Sequence, residues 1–128
     1  MTSHYAKRYK VVMEIEGTLR SAVAHDTPWC LLYKEGAWVT AHHNSGIFVF
    51  GSVEEAVYFS DNQITRDGVQ VWECAARYPI SDITKIPWVG SGIYIWQAFW
   101  NKGYLNCDAN YIVAGTELYR KIRLTKQI

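Results

Sequence analysis

The sequence predicts an α+β fold: a mainly antiparallel sheet of about five to seven strands with one or two helices packed on it. Three stretches carry the prediction. Residues Tyr9 to Glu16 alternate apolar and polar types, as a strand with one buried face does. The run GIFVFGSVEEAVYFS from Gly46 to Ser60 reads as a short buried strand, a break at Gly51 and a capped amphipathic helix. VQVWECAA from Val69 to Ala76 reads as a central strand. Most predicted strands are joined by short turns, which favours antiparallel pairing.

In chain order, Tyr9, Val11, Met13 and Ile15 point to one face, Lys10, Glu14 and Glu16 to the other, and Val12 breaks the pattern. Glu16-Gly17 supplies a hairpin turn, and Thr18 to Ala24 returns as its second arm. His25 to Pro28 is a break, Trp29 to Tyr33 a third short strand, and Lys34-Glu35-Gly36 a turn. Trp38 to Ala41 reads as a strand or an irregular segment, and His42 to Gly46 as a loop. Ile47 to Phe50 is an apolar run of strand length. Ser52 stands three residues before Glu55, the capping-box spacing, and Val53, Ala56 and Val57 share the face that docks on the sheet. Asp67-Gly68 is a turn. Arg77 to Pro87 reads as mostly loop, Trp88 to Gly103 as a helix, and Asn101 to Asn110 as a loop. Glu117 to Leu124 closes the chain as a strand, with Leu118, Ile122 and Leu124 on one side and Tyr119, Lys121 and Arg123 on the other.

The 128 residues suit one domain, large enough to form a core without staples. A hydrophobic content of 49% excludes intrinsic disorder. Thirteen basic and 12 acidic residues leave a net charge of +1, which argues against an acidic nucleic-acid mimic and disfavours a generic polybasic nucleic-acid binder. The N-terminus has no apolar segment of the signal-peptide kind, and no run has the length of a membrane span. Cys30, Cys74 and Cys107 have no paired spacing and read as isolated thiols in a reducing compartment, so a cytoplasmic location is expected.

The pattern RYKVV, LRSAVA, GIFVFGSVEEAVYF and VWECAA, closed by GTELYRKIRL, resembles a group of small uncharacterised proteins from phages and prokaryotes. The resemblance covers most of the chain except Pro79 to Asn110, rests on structural motifs, and implies a compact intracellular domain carried by a virus or mobile element. A second resemblance is to part of the ADP-ribosyltransferase fold, through strand–glycine–strand followed by E-A-x-x-[YF]. It implies an Arg at the first strand, here Arg8, and a late acid, here Glu73 or Glu117, beside a nicotinamide cleft. The Ser-Thr-Ser triplet of that family is absent.

No catalytic constellation, metal-ligand spacing or cofactor motif stands out. The segment 86–107 is the densest in Trp, Tyr and Gly. Trp88, Trp96 and Trp100 there either line a pocket or partner-binding patch or pack the core on a helix. His42 and His43 sit in a loop that can contribute a base or a phosphate contact, or simply meet solvent. Cys74 reads as core beside Trp72 and Ala76. Basic residues cluster at both ends: Lys7, Arg8 and Lys10, then Arg120, Lys121, Arg123 and Lys126. If the first and last strands pair, Arg8, Lys10, Arg120 and Arg123 form one positive strip with Tyr5, Tyr9 and Tyr119 interleaved.

The leading functional expectation is a non-enzymatic binding protein, of phage or mobile-element type, engaging a host protein or a small nucleotide-like ligand through its aromatic segment. The alternatives are a nucleotide-processing enzyme of ADP-ribosyltransferase type and weak nucleic-acid binding through the terminal strip. An edge strand with exposed aromatics also invites a symmetric homodimer.

Overall fold

The computed structural model of the chain describes residues 5–22, 30–41, 46–63, 67–80 and 116–128. They form β1 (Ala6–Ile15), β2 (Thr18–Ser21), β3 (Leu32–Tyr33), β4 (Trp38–Thr40), β5 (Ile47–Phe50), α1 (Val53–Gln63), β6 (Val69–Pro79) and β7 (Thr116–Gln127). Every pairing in the seven-stranded sheet is antiparallel, and one helix covers part of it, so the mainly antiparallel expectation holds for the described residues. The expected helix over Trp88 to Gly103 and its flanking loops lie outside them.

The sheet closes on itself. β6 lies between β1 and β7; β5 pairs with β7 over its whole length and meets β1 where Tyr9 faces Phe50. The four strands β1, β5, β7 and β6 therefore make a ring. β2 and β3 extend from the other half of β1, and β4 extends from β7. Long strands with the ordinary right-handed twist curl in this way, and a register shift at Glu73/Cys74 adds local bend. The β1–β2 turn holds Glu16 at φ 52° and Gly17 at φ 79°, and Ile15 pairs with Thr18. Two successive left-handed residues are what a tight two-residue hairpin turn needs.

Closure changes the reading of β1. Its odd residues Val11 and Met13 lie under α1, where Ala56, Phe59 and Phe50 join them; the Phe50 and Phe59 ring centroids are 5.1 Å apart. Its other face looks into the ring, so Val12 and Lys10 are buried as well. Val12 thus belongs to the pattern: the strand has two covered faces, as in closed sheets. The interior cluster is Val12, Tyr33, Ile47, Val49, Trp72, Cys74, Ala76, Tyr119, Ile122 and Leu124, with smaller residues around it.

Three details differ from expectation. In α1, Ala56 and Phe59 face the sheet, while Val57 is exposed, because the buried stripe advances by three residues. The capping box forms with Glu55 N–H donating to Ser52 Oγ (3.2 Å), but the Ser52 hydroxyl donates to Glu55 Oε1 (2.9 Å) rather than Glu55 reaching the Ser52 backbone. β6 continues through Arg77 and Tyr78 to Pro79, where a loop was expected. β7 is long enough to hold this end in register, pairing Arg77 with Lys121 and Pro79 with Tyr119, while the pairing with β1 stops at Ala76.

Candidate ligand-binding site

The end of β6 gathers the chemistry. Arg77 faces Lys121 and Pro79 faces Tyr119 across the β6–β7 pair. Between them Tyr78 takes a left-handed φ of 60°, a strained conformation for an aromatic residue. Its side chain is 59% exposed, and Tyr5 beside β1 is 54% exposed. With Tyr119, Pro79 and the small residues Ala6 and Ala76, these tyrosines line a cleft of about 310 Å³, and Arg77 forms part of its wall. That volume is at the lower end of the range for small-molecule sites.

Tyr119 is fixed from below. Its hydroxyl donates to Glu117 Oε1 at 3.1 Å, and Arg8 Nε donates to the same oxygen at 3.0 Å. The Arg8 guanidinium lies 5.8 Å from the Tyr119 ring centroid. Burial, then the hydrogen bond to Glu117, pushes the Tyr119 phenol upward, so it stays neutral at physiological pH. Tyr119 is buried and packs with the interior cluster, although the register that opposes Arg77 to Lys121 and Pro79 to Tyr119 keeps it on the strand face of Lys121 and Arg123. Its apolar ring is enclosed while its polar tip finds Glu117.

Arg77 also belongs to a basic cluster. Trp38 on β4 faces Arg123 on β7, and Lys121 faces Arg77. Directly opposed residues share a face of the sheet. The Arg77 and Arg123 guanidinium carbons lie 4.9 and 4.8 Å from the Trp38 ring centroid, and the Lys121 ammonium lies 6.0 Å from it. Like charges directly opposed on a sheet are destabilising, and the indole offsets part of that cost. Among the described residues the ion pairs are Lys7–Glu73 at 3.3 Å and Arg8–Glu117 at 3.0 Å, and neither supplies an anion to this cluster. The Arg77 Nε is buried without a hydrogen-bond partner.

The terminal strip does not assemble as expected. β1 and β7 do not pair with each other along the expected strip; β6 separates them on one side and β5 on the other. Lys10 is interior, its ammonium donating to the Phe48 carbonyl at 2.9 Å, so it cannot belong to a surface strip. Arg8 is engaged by Glu117, and the late acids are both paired, Glu117 with Arg8 and Glu73 with Lys7. Arg120 is partly exposed and its carbonyl accepts from Ala41 N–H. Arg123 joins the Trp38 cluster. Tyr5 and Tyr119, expected beside the strip, line the cleft instead. Trp88, Trp96, Trp100, His42 and His43 lie outside the described residues. Cys74 is buried and its thiol is pushed up to about 12, chiefly by burial, which suits a core residue.

Trp38 and Arg77 were not singled out in the sequence as site residues. The alternation of Lys121 and Arg123 is a usable signal for one basic face, but the strands that bring Trp38 and Arg77 to it are remote in sequence. Among the described residues no three His, Cys, Asp or Glu side chains gather in a metal-ligating group, and no helix is long and apolar enough to cross a membrane. Compared with known proteins, the chain matches no protein-family model, no curated protein and no solved structure.

Proposed function

We propose that the protein is a non-enzymatic binding protein for a nucleotide-like ligand. The planar group enters the cleft of Tyr5, Tyr78 and Tyr119, and the phosphate meets Arg77 with Lys121 and Arg123 nearby. The observation that carries the reading is the double membership of Arg77, which walls the aromatic cleft and stacks on Trp38 in the basic cluster. Tyrosine rings offer rigid stacking surface, and a guanidinium offers the paired donors that phosphate accepts. Binding rather than turnover is favoured because Glu117 is held by Arg8 and Tyr119, while Lys10 and Cys74 are enclosed in the core.

Calorimetric titration with a nucleoside monophosphate and its nucleoside tests this. The monophosphate is expected to bind about tenfold or more tightly than the nucleoside, the scale of one charged hydrogen-bonded contact. Arg77→Ala should remove most of that difference. Equal affinities for the two ligands, or an Arg77→Ala protein that binds the monophosphate normally, would overturn the assignment.

A further inference from the structure

We infer that the ligand is a single-stranded nucleic acid rather than a free mononucleotide; this rests on the nucleotide reading above. The site has more parts than one nucleotide uses. The tyrosine cleft is one stacking station, at the level of Tyr119 on β7. Trp38, opposite Arg123, is a second aromatic surface on the same strand pairing system, four residues further along β7. At about 3.3 Å per residue that is roughly 13 Å, which exceeds a single base and its phosphate. Between the two stations stand Arg77 and Lys121, facing each other across β6 and β7. Aromatic surfaces separated by cations are the arrangement by which proteins hold single strands: bases stack while the intervening phosphates meet the charges.

A net charge of +1 does not oppose this, because the charges are segregated. Acids at Glu73 and Glu117 are occupied by Lys7 and Arg8, and the Trp38 cluster has no ion pair among the described residues. Arg77 walls the tyrosine cleft and its guanidinium carbon lies 4.9 Å from the Trp38 ring centroid, so its charge stands between the stations, where a phosphate would pass. Duplex DNA hides the base faces that both stations require, so the expected preference is for single strands.

The experiment compares dTMP, by calorimetry, with labelled oligothymidylates of four and eight nucleotides, by fluorescence anisotropy at low salt. The octamer is expected to bind at least tenfold more tightly than dTMP. With about three phosphate contacts, its affinity should fall with a log–log salt slope of about −2. The double variant Arg77→Ala with Arg123→Ala should lower that slope by about two-thirds. Trp38→Ala should weaken the octamer about tenfold, the scale of losing one stacked base, and weaken dTMP less, because dTMP depends on Trp38 only through its contact with Arg77. Trp38→Phe, which keeps an aromatic ring on the edge strand, should restore most of the octamer affinity. An octamer no tighter than dTMP, a salt-independent complex, or a duplex bound as well as the single strand would overturn the inference while leaving nucleotide binding intact. Failure of both dTMP and octamer to bind would overturn the nucleotide reading together with it.

Discussion

Lys10→Met is expected to stabilise the protein at neutral pH by about 2 kcal/mol. The Lys10 ammonium is enclosed by the ring of strands, and burial lowers its pKa from 10.5 to about 8. At about 1.4 kcal/mol per pH unit, that shift is a penalty of about 3 kcal/mol for carrying the charge into the fold. The hydrogen bond to the Phe48 carbonyl recovers about 1 kcal/mol, which methionine forfeits. The Tyr33 and Phe48 rings, 5.9 and 6.0 Å from the ammonium, make the site tolerable for a cation without removing its desolvation. The pH dependence follows with a definite sign. Below about pH 8 both folded and unfolded chains hold the Lys10 proton and the penalty is fully present. Between about 8 and 10.5 the unfolded chain holds more protons than the folded one, so stability rises with pH. Cys74, raised from 9.0 to about 12, and Tyr33, also raised by burial, act oppositely, because above about pH 9 only the unfolded chain releases their protons. Urea unfolding across this range should therefore show a stability maximum near pH 9 in the natural sequence. Lys10→Met should lack the rise and only decline at high pH. A variant less stable than its parent at pH 7 would mean that the Lys10 charge is better compensated than these contacts provide.

Gly68→Ala is expected to cost about 3 kcal/mol or more. Gly68 holds φ at +84° in the Asp67-Gly68 turn that leads into β6, and a Cβ there would stand 2.6 Å from the Glu14 carbonyl oxygen. That carbonyl is main chain, so it cannot swing aside as a side-chain tip could. The Gly68 carbonyl also accepts from Glu14 N–H at 2.8 Å, tying the turn to β1 at the point where the β1–β6 pairing begins. Left-handed strain alone is worth about 1–2 kcal/mol, and the clash adds to it. Gly17, also left-handed but with open space around its would-be Cβ, serves as the comparison: Gly17→Ala should cost only the conformational part. Matched urea unfolding of the two variants separates strain from collision, and equal losses would show that the Glu14 contact relaxes freely.

Much of the sheet was legible because its signals are local. The Ile47–Phe50 strand, the Ser52–Glu55 cap and the Glu16-Gly17 turn each lie within a few residues. Closure was not legible, since it depends on β5 reaching both β1 and β7, and that is why Lys10 read as solvent-facing when it is interior. The same non-local pairing conceals the cleft. Tyr5 precedes β1, Arg77 lies on β6 and Tyr119 on β7, and Trp38 meets Arg123 only through the β4–β7 register. Arg77 also sits where two prolines and a positive-φ tyrosine suppress the strand signal.

Backbone amide shift mapping with a saturating nucleoside monophosphate tests the central claim most directly. Perturbations should concentrate on residues 76–79 of β6, 119–123 of β7 and Trp38 of β4, and Arg77→Ala should need about tenfold more ligand to reach the same shifts. Shifts gathered elsewhere on the protein, or a spectrum that the ligand leaves unchanged, would contradict it.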